Sequence, residues 1–322
     1  MKAIQLDRTG GPEMLQVVDI SLPRPKANQA LVKVAASGVN FIDIYQREGR
    51  YKVPLPFVLG QEGAGVVSEV GAEVQSVRAG DRVAWASVLG SYAEYAAVPA
   101  ERLVAIPQGV TEQQAAAAML QGMTAHYLIF SAFPLKLGQT ALIHAAAGGV
   151  GQLLVQMAHH LGARVIATVS TEQKARLARA AGADEVILYT QRDFETETKR
   201  LTDGHGVDVV YDGVGKTTFE KGLNVLRTRG YMVLFGGSSG AVPPFDLIQL
   251  STKGSLFVTR PTLGHYTATT EELQARASAV FGMIREGQLK LRIEHTYQLA
   301  DAAQAHRDLE ARKTTGKLVL LP

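Results

Sequence analysis

At 322 residues the chain exceeds the roughly 100–200 residues of one ordinary domain, so two domains are predicted, each able to bury a core. Hydrophobic residues at 46%, charged residues at 20% and a formal charge of +3 are globular values that exclude a disordered chain or a coiled coil. Cysteine is absent, which removes disulfides, catalytic thiols, iron–sulfur clusters and cysteine-ligated zinc.

The opening MKAIQLD has no apolar stretch of the secretory kind, and a cytoplasmic start is expected. Up to about Pro107 short strand-like segments alternate with glycine and proline: Ala30–Ala35, Gly65–Val70, Asp81–Ala84 and Tyr92–Val98. This rhythm predicts an antiparallel or barrel-like β domain with few helices. From Thr111 a cap residue leads into alanines and apolar residues at helical spacing. The run around Ala115–Leu120 is far short of the ~20 apolar residues of a bilayer span, so no membrane segment is expected.

From Gln139 strands and helices alternate: Thr140–Ala145, helix Val150–Leu161, Arg164–Val169, helix Glu172–Ala181, Glu185–Leu188, Val207–Tyr211, helix Thr217–Leu226, Tyr231–Phe235 and Ser255–Thr259. Alternation of this kind predicts an α/β fold with a doubly wound parallel sheet. After Pro261 come a helix over Glu271–Arg285, a strand near Glu294–Tyr297, a helix over Ala300–Ala311 and a last strand, Lys317–Leu320. The predicted domains are 1–122 with 264–322, β-rich, and 123–263, dinucleotide-binding.

Strand TALIHA runs into AAAGGVG and then the apolar helix QLLVQMAHHLG. In the GxGxxG fingerprint the glycines serve a tight turn, close approach of pyrophosphate, and helix–strand packing; here those places fall on Ala146, Gly148 and Gly151. The anion would sit on the helix N-terminus. Enzymes using NAD usually end the next strand with a carboxylate for the ribose hydroxyl, whereas this strand ends Thr168-Val169-Ser170-Thr171, with Lys174 following. Those donors favour the 2′-phosphate of NADPH. A capping box of Ser170 with Gln173 is the structural alternative, and both can hold at one helix N-terminus.

The blocks SGVNFIDIYQREG, LGQEGAGVVSEVG, AAAGGVG, VVYDGVG and FGGSSGAV…GSLFVTRPTL together resemble the zinc-independent quinone oxidoreductases of the medium-chain dehydrogenase/reductase superfamily, the group that includes ζ-crystallin. The resemblance implies a Rossmann domain beside a GroES-like catalytic domain. Zinc-dependent relatives carry a cysteine and a histidine where this chain has Asn40 and Gln61, and neutral amides bind zinc weakly, so no metal is expected. The resemblance sets Asn40, Asp43, Tyr45 and Tyr51 at the reacting end. Asn40 would donate an amide hydrogen bond to substrate or nicotinamide, and a tyrosine would stack on a planar ring. For Asp43 and Tyr51 a purely structural role is the alternative.

For the cofactor the resemblance implies Asn40, Thr124, Ala147, Gly148, Gly149, Val150, Ser170, Lys174, Tyr189, Phe235, Gly236, Ser238, Ser239 and Lys317. A quinone accepts hydride without a Lewis acid, so the expected activity is NADPH-dependent, zinc-free quinone reduction. Reduction of the C=C bond of α,β-unsaturated ketones or aldehydes is the alternative within enzymes. An NADPH-liganded RNA-binding or structural protein is a reading of another class; a pI near 9.0 allows it, but no arginine–aromatic patch supports it. The segment Ser255–Thr259 reads as an edge strand, and pairing it across a two-fold axis predicts a homodimer.

Overall fold

The computed structural model describes all residues, Met1–Pro322, and divides into two compact units, Met1–Met123 with Tyr266–Pro322, and Thr124–His265. In chain order the first unit supplies β1 (Lys2–Leu6), β2 (Val17–Asp19), β3 (Gln29–Val39), α1 (Phe41–Arg47), β4 (Phe57–Val58), β5 (Glu62–Val70), β6 (Arg82–Ala86), β7 (Tyr95–Pro99) and β8 (Val104–Ala105). Helix α2 (Glu112–Tyr127) carries the chain onward. The second unit contains β9 (Thr140–Ile143), α3 (Gly149–His160), β10 (Arg164–Val169), α4 (Glu172–Ala180), β11 (Glu185–Leu188), α5 (Phe194–Leu201), β12 (Val207–Asp212), α6 (Phe219–Asn224), β13 (Leu226–Leu234), α7 (Ile248–Thr252) and β14 (Phe257–Thr259). After α8 (Leu263–Tyr266) the chain returns through α9 (Thr270–Arg285), β15 (Ile293–Gln298), α10 (Ala302–Glu310) and β16 (Lys317–Leu321).

In the first unit a seven-stranded sheet runs β15-β16-β3-β5-β6-β8, with β7 also on β3, and a small sheet joins β2-β1-β4. All pairings of β3 are antiparallel, and only β15 with β16 is parallel. Alternation along β3 sends Val32 and Val34 inward against Val67, Val83, Trp85 and Val98. A second core gathers Ile4, Leu6, Val39, Leu59, Tyr92, Leu299, Leu318 and Leu320, so the last strand is built into the first unit. One expectation is corrected here. Tyr92 lies in the turn before β7, where its backbone is held by Leu59 and Ile4, and β7 starts only at Tyr95. The few helices of this unit include α1, whose first turn is closed where the Asp43 carboxylate accepts from the N–H of Asn40.

In the second unit all six strands are parallel, in the order β11-β10-β9-β12-β13-β14. Counted along the unit this is 3-2-1-4-5-6, with the reversal between β9 and β12 where such sheets bind ligands. Helix α5 was not predicted; Asp193 caps it by accepting from the Thr196 N–H at 3.0 Å, and its exposed face is charged rather than apolar. Strand β14 is shorter than Ser255–Thr259: Ser255 sits in the left-handed region with φ 55°, and Leu256 is already buried in its own unit.

Candidate active site

In the first unit the end of β3, the start of β5, the middle of α2 and the start of β16 converge on one buried polar cluster. Glu62, wholly buried, takes the Lys317 ammonium at 2.5 Å and the Asn40 amide at 2.8 Å on Oε2, and the Leu120 N–H at 2.6 Å on Oε1. Gly38 makes room for it, since a Cβ there would stand 2.2 Å from Glu62 Oε2 and 2.5 Å from the Ala116 carbonyl. Asn40 Oδ1 accepts from Lys317 at 2.7 Å and from Gln121 at 3.2 Å, while Nδ2 donates to Glu62 and to the Gly38 carbonyl. Both amide hydrogens are therefore committed, which corrects the expectation that Asn40 donates to a ligand. An amide oxygen already holding an ammonium also does not fit a dication. Lys317, expected at the cofactor, lies in this same cluster with only 3% of its side chain exposed.

Asp43 is likewise wholly buried, which removes it from direct contact with a ligand. Its Oδ2 accepts from Asn40 N at 2.8 Å and from the Tyr92 hydroxyl at 3.2 Å; Oδ1 has no partner. Burial, with Glu62 adding to it, pushes the carboxyl up to about 7 against the opposing hydrogen bonds and the Lys317 charge. Behind Tyr92 stand His306, 3.1 Å away, and Arg47, 3.2 Å from the other ring nitrogen.

Toward solvent α1 presents aromatics. Tyr45 lies 5.7 Å from Tyr51 and 6.1 Å from Phe41, with the Arg50 guanidinium 5.3 Å over its ring. Tyr51 is 46% exposed and Tyr45 nearly buried, so Tyr51 is the one with a free ring face.

In the second unit β9 ends in the glycine-rich turn. Gly148 caps α3 with extended backbone, without a side-chain cap and without an acidic residue in the first turn, so the first N–H groups of a 12-residue helix meet no competing carboxylate. Gly151 is a packing glycine, because its Cβ would stand 2.3 Å from the Ala145 carbonyl. The tight-turn residue is Ala145, with φ 51°, rather than Ala146. Ala147 is buried and its carbonyl accepts from Gln152 at 2.7 Å, while Gly149 and Val150 open α3 half-buried.

At the end of β10, Thr171 rather than Ser170 caps α4, accepting from the Lys174 N–H at 3.2 Å; this corrects the Ser170–Gln173 box and leaves the Ser170 hydroxyl out of the cap. Tyr189, 42% exposed, follows β11, which pairs with β10. After β13 the Phe235 N–H bonds Asp212 O at 2.8 Å, and Gly236 and Ser238 bond back to residues 212 and 213. Ser239 is spent internally, accepting from Thr217 N and donating to Val214 O at 2.8 Å. Thr124 is a buried residue of α2.

Four groups escaped the sequence reading. In sequence Glu62 is one strand residue of LGQEGAGVVSEVG and Gln121 a break in an apolar stretch, with nothing local to mark either. Asp212, wholly buried, accepts from Val214 N at 2.7 Å, Gly215 N at 3.0 Å and the Thr218 hydroxyl at 2.8 Å, which shapes the turn after β12. Arg260 donates to the Leu234 and Gly236 carbonyls at 3.1 and 2.8 Å and so holds the loop after β13. Its signal was the arginine of VTRP directly after an edge strand.

Residues 26–108 match the alcohol dehydrogenase GroES-like domain, and residues 149–278 match the family described as zinc-binding dehydrogenase. A quinone oxidoreductase of Pseudomonas aeruginosa is 48% identical over 100% of this chain and 99% of its own. A 2-haloacrylate reductase of a Burkholderia species is 39% identical over 99% of this chain and 98% of its own. The crystal structure of Escherichia coli quinone oxidoreductase complexed with NADPH superposes over 100% of both chains with a TM-score of 0.98 at 44% identity. Full-length identity of this order, on the same two units, means that the chain belongs to the quinone oxidoreductase family of the medium-chain dehydrogenase/reductase superfamily.

Proposed function

We propose that the protein is an NADPH-dependent, zinc-free quinone reductase. The observation that supports the reading is the end of β10: the strand itself ends without a carboxylate, Ser170 keeps its hydroxyl outside the helix cap, and Lys174 occupies the first turn of α4, where Glu172 is the one acidic side chain. The uncapped start of α3, free of acidic side chains, fits a pyrophosphate. On this reading Gly148, Gly149 and Val150 bind the pyrophosphate, Ser170, Lys174 and Tyr189 hold the 2′-phosphate, and Thr124, Ala147, Phe235, Gly236 and Ser238 orient the rest. Ser239 acts by shaping its loop.

Bound NADPH would supply the hydride, and the chain's own contribution is orientation and charge. Tyr51, backed by Tyr45, offers a ring face to a planar quinone. Lys317, neutralised by Glu62, fixes Asn40 Oδ1 at the end of β3. The second reading, reduction of a conjugated C=C bond, is favoured by the 2-haloacrylate reductase relative. Turnover of an ortho-quinone, a para-quinone and an alkenal, each with NADPH and with NADH, tests both. Faster quinone turnover with NADPH is expected; alkenal-only turnover, or equal use of NADH, overturns the reading.

The same reading includes a homodimer paired through β14 and a cytoplasmic location. Support for the pairing comes from β14 having only β13 as a neighbour and from Phe257, 49% exposed, stacked 4.5 Å from Tyr231.

A further inference from the structure

Helix α1 ends in a turn that folds back over its own aromatic face. Gly49, with φ 78°, reverses the chain after Arg47 and Glu48, and its N–H bonds the Gln46 carbonyl at 3.0 Å. The Tyr51 N–H then reaches the Tyr45 carbonyl at 3.2 Å. This return lays two side chains against one ring: Tyr51 with its centroid 5.7 Å from that of Tyr45, and the Arg50 guanidinium 5.3 Å over it. Both meet water, Tyr51 being 46% exposed and the Arg50 side chain 49%. Lys52, the next residue, is exposed as well.

The charges of this turn do not balance. Glu48 is its one carboxylate: Oε2 lies 2.7 Å from Arg50 Nε without hydrogen-bond alignment, and Oε1 lies 3.4 Å from Arg47 Nη2. Arg47 is answered separately by two bonds to Glu310, at 3.1 and 2.8 Å. Lys52 has no ion pair, and the two terminal nitrogens of Arg50 meet no acceptor of the protein. Arg47, Arg50 and Lys52 therefore face only Glu48 and Glu310, and the surplus positive charge falls on the solvent side, on the residues either side of Tyr51 in the chain.

An exposed aromatic face bordered by a guanidinium with free N–H groups has a defined partner, a planar ring that carries an anion. The ring would lie on Tyr51, and a carboxylate or sulfonate on it would take the two terminal N–H groups of Arg50 together. Contact with the Tyr45 ring already fixes the guanidinium, so little side-chain freedom is lost when the anion binds. We propose that Arg50, with Lys52 beside it, is a specificity-determining residue of the quinone site, and that it selects quinones bearing a carboxylate or sulfonate away from the reducible carbonyls. The proposal rests on the quinone-reductase reading for the ring seated on Tyr51; the preference for an anion is a property of the turn itself.

The test compares 1,4-naphthoquinone with its 6-sulfonate, whose charge sits on the ring remote from the carbonyls, at saturating NADPH. The quantity read is the ratio of kcat/KM, sulfonate over neutral, in which the intrinsic rate of each variant cancels. An arginine that only covered Tyr45 would move both substrates alike. At low ionic strength the wild-type ratio should stand about three- to tenfold above that of Arg50→Gln, with the difference in KM, and the gap should shrink at high salt because the contact is exposed. Arg50→Lys, which keeps the charge but not the fork, should fall between the two, and Lys52→Glu should lower the ratio as well. A ratio that neither Arg50→Gln nor Lys52→Glu changes, or a gap indifferent to salt, overturns the proposal. If the wild type reduces neither quinone, the reductase reading falls and the specificity role with it. Calorimetric titration with the unreactive naphthalene-2-sulfonate then decides the anion site alone: weaker binding by Arg50→Gln than by wild type upholds it, and equal binding or none removes it.

Discussion

The Lys317 ammonium meets the Glu62 carboxylate at 2.5 Å with 3% and 0% of their side chains exposed, which joins the last strand of the chain to the core of the first unit. Removing one partner strands the other charge, and such losses run to about 3–5 kcal/mol. Glu62→Gln and Lys317→Met should each lower the denaturant midpoint accordingly. The double variant should recover much of the loss, because neither leaves an unpaired charge. Additive losses in the double-mutant cycle would show that the pair is not coupled.

Lys174→Glu should weaken NADPH far more than NADH. A charge-assisted hydrogen bond contributes about 1.5–3 kcal/mol, less where solvent screens it, so a loss on the order of tenfold is expected in Kd for NADPH alone. Calorimetric titration with both dinucleotides reads this directly, and equal losses would remove Lys174 from the 2′-phosphate.

The glycine-rich turn makes opposite predictions for two neighbouring sites. Gly151→Ala forces a Cβ to 2.3 Å from the Ala145 carbonyl, and the turn must shift at a cost of about 1–3 kcal/mol. Ala145→Gly, at a φ of 51°, relieves a left-handed alanine and should raise stability by about 0.5–1 kcal/mol. Thermal unfolding of the two variants checks both signs.

Asp43 and His306 oppose each other in pH-dependent stability. The Asp43 carboxyl is raised from 3.8 to about 7, so the folded state binds its proton more tightly, and stability is gained as pH falls through that window. His306 is lowered from 6.5 to about 3, so the unfolded state binds the proton more tightly, and stability is lost as pH falls through 6.5. Relative to wild type, Asp43→Asn should therefore lose stability as pH is lowered from 7 to 4, and His306→Gln should gain it. Urea unfolding across that range measures the slopes; parallel curves would show that neither group is shifted.

If β14 pairs with its copy, Phe257→Glu sets like charges near the two-fold axis and should yield monomers by light scattering, with unfolding otherwise little changed because Phe257 is half exposed. A monomeric wild type, or a dimeric variant, would reject the interface.

Local signals in the sequence determined a good deal. The change of hydrophobic period near Gln139 is a property of consecutive residues, and it announced the parallel sheet of the second unit before any contact was known. The same holds for Gly148 and Gly151, whose roles follow from a strand, a tight turn and a helix in immediate succession. Family resemblance in blocks such as SGVNFIDIYQREG and LGQEGAGVVSEVG extends this to the reacting end and to Asn40 and Gln61. What the sequence left undecided were partners that the chain brings together over long separations. Glu62, Lys317 and Asn40 lie 22 to 277 residues apart, and so no periodicity links them. Only packing turned Asn40 from a free amide into a committed one, took Asp43 out of reach of a ligand, and aligned Arg47, His306 and Tyr92 behind it. The reason is physical: secondary structure is set by neighbours in sequence, whereas burial, hydrogen-bond direction and proton affinity are set by whatever the tertiary fold presses against a side chain.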